Sequence, residues 1–441
     1  MKSNKKTFFS WEGLCLLIGG VSLITACSST IQKSSDEDAA VQQAATINQN
    51  LNSSAAVAFV DTRNLPADNK IALFMGQDSE TLTEYRKEAL EKDAELPRPA
   101  GITLYTKISN SANQGSLAGI TSDTDYGAGM INFSKSLKEF PDAALAVGLD
   151  ITDVHAGCKQ IPTRAIAGMI GEGVSEKDVA DYRQQVDKLL LFLKGSKREV
   201  FLRIGYEFDG PWNCYEPEAY KAAYRFIKSR INALAANNIA TVWQSAAWPR
   251  NQGIYQVTET NHLEKFYPGD DVVDWVSLST FYGDTYRDYQ WTCDALNPEW
   301  FTPVVTPRSQ QDRLLAFARN HKKPVMIAEA APVGFSNSQL TTGCIFTNRV
   351  KPITAEDIWN SWYADWFDYI HANKDVIRAV AYINTNWHSQ GMWYCAPNST
   401  AGAKDCNQGY WADSRVQANP YILKKFKEEI SHSVYVNGVK K

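Results

Sequence analysis

Between residues 70 and 384 the chain alternates short apolar runs with longer stretches whose apolar positions recur at helical spacing. The runs are Ile71–Met75, Gly101–Thr106, Ala144–Asp150, Val200–Tyr206, Ala240–Gln244, Trp275–Thr280, Pro324–Glu329 and Ala379–Asn384. Most are apolar at nearly every position, with no in/out alternation. That is the pattern of strands buried on both faces, as in a parallel sheet. Helices are predicted over Leu82–Lys92, Ser175–Leu193, Pro217–Asn237, Arg308–His321 and Ala355–Asn373. Ser175 suits an N-cap with Asp178 in the first turn, and Pro217 suits the first turn of its helix. Eight strand–helix units predict an α/β fold: a single (β/α)8 TIM barrel with enlarged loops after its strands. An open doubly wound sheet is the rival, but the first strand is not followed by a glycine-rich turn. There is no internal repeat.

The N-terminal residues read as an address. Lys2, Lys5 and Lys6 precede an apolar run, Leu14–Ala26, shorter than the ~20 residues a membrane span needs. This is a secretory signal pattern. It ends Leu23-Ile24-Thr25-Ala26-Cys27, which resembles a lipobox and implies cleavage before Cys27 and lipidation of that residue. Ser28 follows the cysteine. By resemblance to Gram-negative lipoproteins this points to the outer membrane. Residues 28–56 lack aromatics and proline and are rich in Ser, Gln, Asn and Ala, a tether composition. The expected organisation is a signal peptide at 1–26, a lipidated cysteine and tether at 27–56, a barrel at 57–430 and a tail at 431–441.

Composition narrows the partners. A net charge of −4 without a basic stripe argues against nucleic acid. The 13 Trp and 20 Tyr are numerous, and flat rings serve both cores and sugar faces. Beyond Cys15 and Cys27, six cysteines remain: Cys158, Cys214, Cys293, Cys344, Cys395 and Cys406. An even number in an exported chain suggests disulfides. The expected pairs are Cys395 with Cys406, Cys293 with Cys344, and Cys158 with Cys214. No CxxC, HExxH, phosphate-binding GxxxxGK or GxSxG motif occurs, so neither a metal nor a cofactor is expected. A monomer is expected.

In barrels of this type chemistry sits at the C-terminal ends of the strands. Two strands end there in a carboxylate: Phe201-Leu202-Arg203-Ile204-Gly205-Tyr206-Glu207 and Lys323-Pro324-Val325-Met326-Ile327-Ala328-Glu329. A charge closing a buried strand is costly unless paired or used. These are the fourth and seventh strands, whose ends can face each other across the mouth. Two carboxyls about 5–5.5 Å apart suit retaining glycoside hydrolysis.

Arg203-Ile-Gly-Tyr206-Glu207-Phe-Asp-Gly210-Pro-Trp212 resembles the acid/base segment of glycoside hydrolase family 26, with Arg four before the acid, Gly three after and Trp five after. Pro217-Glu-Ala-Tyr220-Lys-Ala-Ala-Tyr224-Arg225 is similar to the helix that follows in that family. Tyr267-Pro-Gly-Asp270-Asp271-Val-Val-Asp274-Trp275-Val276 and Lys323 through Glu329 are similar to its sixth- and seventh-strand segments. The resemblance implies a clan A barrel acting on β-linked polysaccharide: β-mannan, β-1,3-xylan or mixed-linkage glucan. It implies Glu207 as acid/base, Glu329 as nucleophile, Tyr282 as a hydrogen-bond partner of the nucleophile and Trp387 as the floor beneath the reacting sugar. The chain departs from the family at Tyr206, where His is usual, which marks a divergent member. Arg203, Tyr206, Trp212, Trp248 and Trp393 complete the expected substrate contacts. Trp291 and Trp300 also fall on loops, whereas Trp275, Trp359, Trp362 and Trp366 are expected in the core. A glycan-binding protein without turnover and an exo-acting enzyme are the rival functions.

Overall fold

The computed structural model describes residues 57–60, 62–110, 116–125, 127–153, 160–281, 304–400, 402–406 and 409–438. Eight parallel strands form one sheet: β1 (Ile71–Met75), β2 (Gly101–Lys107), β3 (Ala144–Asp150), β4 (Val200–Ile204), β5 (Ile239–Ser245), β6 (Trp275–Ser279), β7 (Val325–Glu329) and β8 (Ile377–Tyr382). Each pairs with the next, and β8 pairs with β1 through Ala72 opposite Ala379, so the sheet closes into a barrel. The eight expected strands are all present, with ends shifted by at most two residues.

Helices lie between the strands: α1 (Ser79–Tyr85), α2 (Phe133–Glu139), α3 (Arg164–Ile170), α4 (Glu176–Gly195), α5 (Pro217–Ala233), α6 (His262–Phe266), α7 (Pro307–Asn320), α8 (Ala355–Ile358), α9 (Ala364–Ala372) and α10 (Pro420–Ile430). The cap chemistry fits the sequence. The Ser175 hydroxyl accepts from the Asp178 amide at the start of α4, and α5 and α7 each begin with proline. Two expected helices are interrupted. The first begins earlier, on Asp78 as N-cap, and passes into a π-helical turn at Arg86–Leu90. The last is split by a π-helical turn at Trp359–Tyr363. The short helices α2, α3 and α6 and the long α10 were not anticipated.

The barrel interior has two levels. The lower level is apolar, with Phe74, Phe201 and Trp275 meeting edge to face at 5.2 and 5.1 Å among Ala72, Ala240, Ala328 and Ala379. The upper level, at the C-terminal ends, is polar. Beneath the barrel, the segment before β1 crosses the N-terminal ends of the strands. Asn64 donates to the carbonyls of Val200 and Asn238, Arg63 donates to that of Ile239, and the Trp275 indole donates to the Arg63 carbonyl. The residues read as a tail contribute a short strand, β9 (Tyr435–Val436), which pairs with Ile71 and Ala72. The larger apolar core lies between strands and helices, and it takes in Trp359, Trp362 and Trp366 as expected.

Cys395 and Cys406 form a disulfide, as expected. Cys214 and Cys344 are also disulfide-bonded. Cys158 and Cys293, their expected partners, lie outside the described residues, as do Cys27, Tyr282, Trp291 and Trp300.

Candidate active site

The upper level of the barrel gathers polar side chains from five strands and the loop after β4. Glu329 ends β7. A register shift between β6 and β7 pairs Leu278 with Ile327 and then Ser279 with Glu329, so Ala328 is an extra residue. Ala328 faces the barrel interior, and the bulge turns Glu329 inward as well. Only 5% exposed, Glu329 is held on both oxygens. Oε1 accepts from Arg203 Nη1 at 3.1 Å and from the Tyr105 hydroxyl. Oε2 accepts from Gln244 Nε2 and from Ser279 Oγ, both at 3.1 Å.

Arg203 is fully buried, and its charge is matched by Glu329. An unpaired guanidinium there would cost several kcal/mol. Its Nη1 also donates to Gln244 Oε1 at 3.1 Å. The guanidinium carbon lies 4.7 Å from the centre of the Tyr105 ring and 5.5 Å from that of Tyr206. The room for this stack comes from β3. A Cβ on Gly148 would sit 2.4 Å from the Tyr105 ring and 2.7 Å from Arg203 Nη2.

Glu207 lies three residues beyond the end of β4, with φ +53°. Left-handed backbone costs a non-glycine residue roughly 1–2 kcal/mol, and the surrounding contacts hold it. Asn213 Nδ2 donates to the carbonyls of Tyr206 and Glu207, and the Phe208 amide donates to Gln244 O. Phe208 is buried and stacks on Trp243 at 4.2 Å. Asp209, also buried, accepts from Ser245 Oγ at 2.6 Å and the Ala246 amide at 2.7 Å, with His262 Nε2 3.3 Å away. The side-chain carboxyl accepts from Trp212 Nε1 on Oε2, and its Oε1 lies in hydrogen-bond contact with Ser279 Oγ, each at 2.9 Å.

The two carboxyls therefore share one hydroxyl but differ in surroundings. Glu329 has an arginine, a tyrosine and an amide to itself. Glu207 has an indole N–H and, among the described residues, no cation within hydrogen-bonding reach, and burial, then the nearby Glu329 charge, pushes its pKa well above the usual carboxylate range.

Trp212 is half exposed and meets Trp248 edge to face at 5.6 Å beside Glu207. A Cβ on Gly210 would lie 2.6 Å from the Trp212 ring, so this ring also needs its glycine. Across the mouth, Trp387 packs with Trp393 at 5.0 Å and Trp411 at 5.0 Å. This cluster adjoins the loop after Glu329, where the Ile383 amide donates to Ala330 O. Trp387 is 3% exposed, and its indole N–H and that of Trp393 have no hydrogen-bond partner among the described residues.

The structure thus brings together Glu207, Glu329, Arg203, Tyr206 and Trp212, with Trp248 beside them and Trp387 and Trp393 in a second cluster. Sequence reading missed Tyr105, Gln244 and Ser279. Their signal was a polar residue near the C-terminal end of an otherwise apolar strand. No group of three or more His, Cys, Asp or Glu suited to a metal occurs among the described residues.

No family model matches the chain. A β-1,3-xylanase, TXYA, from a Vibrio species is 32% identical over 376 residues, which is 84% of this chain and 67% of that protein. A β-1,3-xylanase from an Alcaligenes species is 31% identical over 371 residues, covering 83% and 65%. The chain thus spans about two thirds of the length of these relatives. Among solved structures, a family 26 β-mannanase from Bacteroides ovatus aligns with a TM-score of 0.46 at 12% identity, covering 84% of this chain and 91% of that one. With a glutamate closing the seventh strand of a (β/α)8 barrel and another just beyond the fourth, and with a relative of this identity along most of its length, the chain is a glycoside hydrolase and belongs to glycoside hydrolase family 26.

Proposed function

We propose that the protein is a retaining, endo-acting glycosidase that cleaves β-linked polysaccharide, with β-1,3-xylan as its substrate. The observation that carries this reading is the pair of glutamates bonded to one hydroxyl in opposite electrostatic settings. Glu329, fixed by Arg203, Tyr105 and Gln244, attacks the anomeric carbon. Glu207, kept protonated by burial and by the Glu329 charge, donates to the leaving oxygen. It then takes a proton from the water that releases the glycosyl group. Trp212, Trp248 and Trp393 offer faces for sugar rings, with Trp387 buried beneath Trp393 and Trp411. The choice of β-1,3-xylan rests on the two relatives' names, and β-mannan and mixed-linkage glucan are the alternatives within the family.

The test is reducing-end release from β-1,3-xylan, β-1,4-xylan, β-mannan and mixed-linkage glucan. A ladder of oligosaccharides from β-1,3-xylan is expected, with loss on the order of 10⁴ or more in Glu329→Ala. Glu207→Ala should lose turnover of polymer but keep that of aryl glycosides whose leaving group needs no proton. Release by both variants at the wild-type rate would sink the assignment. Binding to a polymer without release would favour the non-hydrolytic reading, and single sugars instead of a ladder would favour exo action. Lipidation at Cys27 and outer-membrane attachment are also proposed. Fractionation of cells expressing wild type and Cys27→Ala checks both, with loss of membrane attachment expected in the variant.

A further inference from the structure

Ser279 stands where the two carboxyls meet, and its hydrogen bonds can be counted. A hydroxyl has one hydrogen to give and two lone pairs to accept with. Among the described residues Ser279 Oγ, in a side chain only 3% exposed, has three close polar neighbours: Gln244 Nε2 at 3.1 Å, Glu207 Oε1 at 2.9 Å and Glu329 Oε2 at 3.1 Å. The amide nitrogen can only donate, so it takes one accepting position. One donating and one accepting position remain for the two carboxyls. Both contacts are hydrogen bonds only when one carboxyl carries a proton and gives it to Oγ. Arg203 and Tyr105 mark Glu329 as the anion. The resulting chain runs from the Glu207 proton to Oγ, and from the Oγ proton to Glu329.

We propose that Ser279 is a positioning residue whose single hydrogen follows the negative charge of the site, donating to Glu329 in the free enzyme and to Glu207 in the glycosyl-enzyme. The proposal rests on the two-glutamate reading above and deepens it. In the first step a Glu329 oxygen forms a bond to the anomeric carbon, the bond to the leaving oxygen breaks, and the Glu207 proton passes to that oxygen. Glu329 is now a neutral ester and Glu207 the anion, so the Ser279 hydrogen turns about Cβ–Oγ to Glu207 Oε1. In the second step a water oxygen bonds to the anomeric carbon, the ester bond breaks, and the water proton goes to Glu207. The charge returns to Glu329, and the hydroxyl turns back. No heavy atom of Ser279 moves, because both acceptors already lie within 3.1 Å. Gln244 keeps Oγ in place through its own donation.

This role touches both half-reactions, whereas a hydroxyl serving Glu329 alone touches only the first. The experiment measures kcat/KM on β-1,3-xylan, which reports the first step. It also measures kcat on 2,4-dinitrophenyl β-1,3-xylobioside, where loss of the activated leaving group is fast and the second step is limiting. Ser279→Ala is expected to lower both by about 10- to 100-fold, the value of a hydrogen bond to a charged group. Ser279→Thr, which keeps the hydroxyl, should stay within about threefold of wild type in both. Thermal unfolding verifies that the variants fold, and Ser279→Cys, a poor donor of the same shape, replaces Ala if that variant does not. Loss in only one step, no loss in either, or a folded Thr variant as impaired as Ala overturns the proposal. Glu329→Ala runs beside them. If it turns over the aryl glycoside like wild type, the two-glutamate reading itself falls. If it is inactive while Ser279→Ala is unimpaired, only the Ser279 role falls.

Discussion

In the proposed mechanism Glu207 works as an acid only while protonated, and burial together with the Glu329 charge pushes its pKa well above the usual carboxylate range. On the basic side, kcat/KM should therefore fall as pH rises through the Glu207 pKa. The Trp212 indole N–H opposes this shift by donating to the ionised form. Trp212→Phe should move the basic limb to higher pH, and a pH profile of kcat/KM checks the direction. A basic limb moved to lower pH would contradict the hydrogen bond's role. A second buried carboxyl titrates outside the site. Asp78 caps α1, accepting from the amides of Glu80 and Thr81, and burial raises its pKa from 3.8 to about 6. The folded state therefore holds a proton that the unfolded chain releases between those values. Stability from this group is complete below pH 3.8 and is lost as pH rises through 6. The loss amounts to about 3 kcal/mol. Asp78→Asn keeps a cap acceptor without the charge. Relative to wild type it should gain stability between pH 4 and pH 7.5, as read from denaturant unfolding at each pH.

The strands were legible because a run apolar on both faces has few other places to go than the wall of a closed barrel. Glu207 and Glu329 were legible for the converse reason, as charges at the ends of such runs. Tyr105, Gln244 and Ser279 were not, since a neutral polar residue near a strand end costs little and signals little until its neighbours across the barrel are known. Glu329 reaches the interior through a bulge between β6 and β7, a backbone detail no residue pattern announces. The π-helical turns at Arg86–Leu90 and Trp359–Tyr363 were hidden likewise, within stretches that read as continuous helix. Gly148 shows how an element with no polar side chain at that level controls the site. In Gly148→Ala the added methyl meets the Tyr105 ring and the Arg203 guanidinium. Overpacking of this kind costs about 1–3 kcal/mol. Relief by moving either side chain also loosens Glu329. A lower Tm together with a fall in kcat of tenfold or more is expected, and unchanged kcat would show that the stack is not needed to hold the nucleophile.

At the scale of the whole molecule, the candidate site and the closure occupy opposite ends of the barrel. The mouth carries the glutamates and the tryptophans. The base is sealed by Arg63, Asn64 and β9, where Tyr435 is buried against Phe367. Truncation after Ser431 removes β9 and exposes Ile71 and its neighbours. It should destabilise the fold by about 2 kcal/mol, the worth of one large buried side chain. It should also leave kcat/KM within about twofold, because the lost contacts are at the base. Calorimetry and polymer assays on the truncated protein check both statements. The pairing of β9 with β1 also brings the two margins of the barrel unit side by side, with the Val434 carbonyl bonded to the Ile71 amide at 2.8 Å. A fusion partner or a solid support joined through either margin would approach from beneath and leave the sugar cleft open. The same closeness makes the barrel suitable for circular permutation: a short linker could join its margins, and the chain could be reopened in a loop at the base.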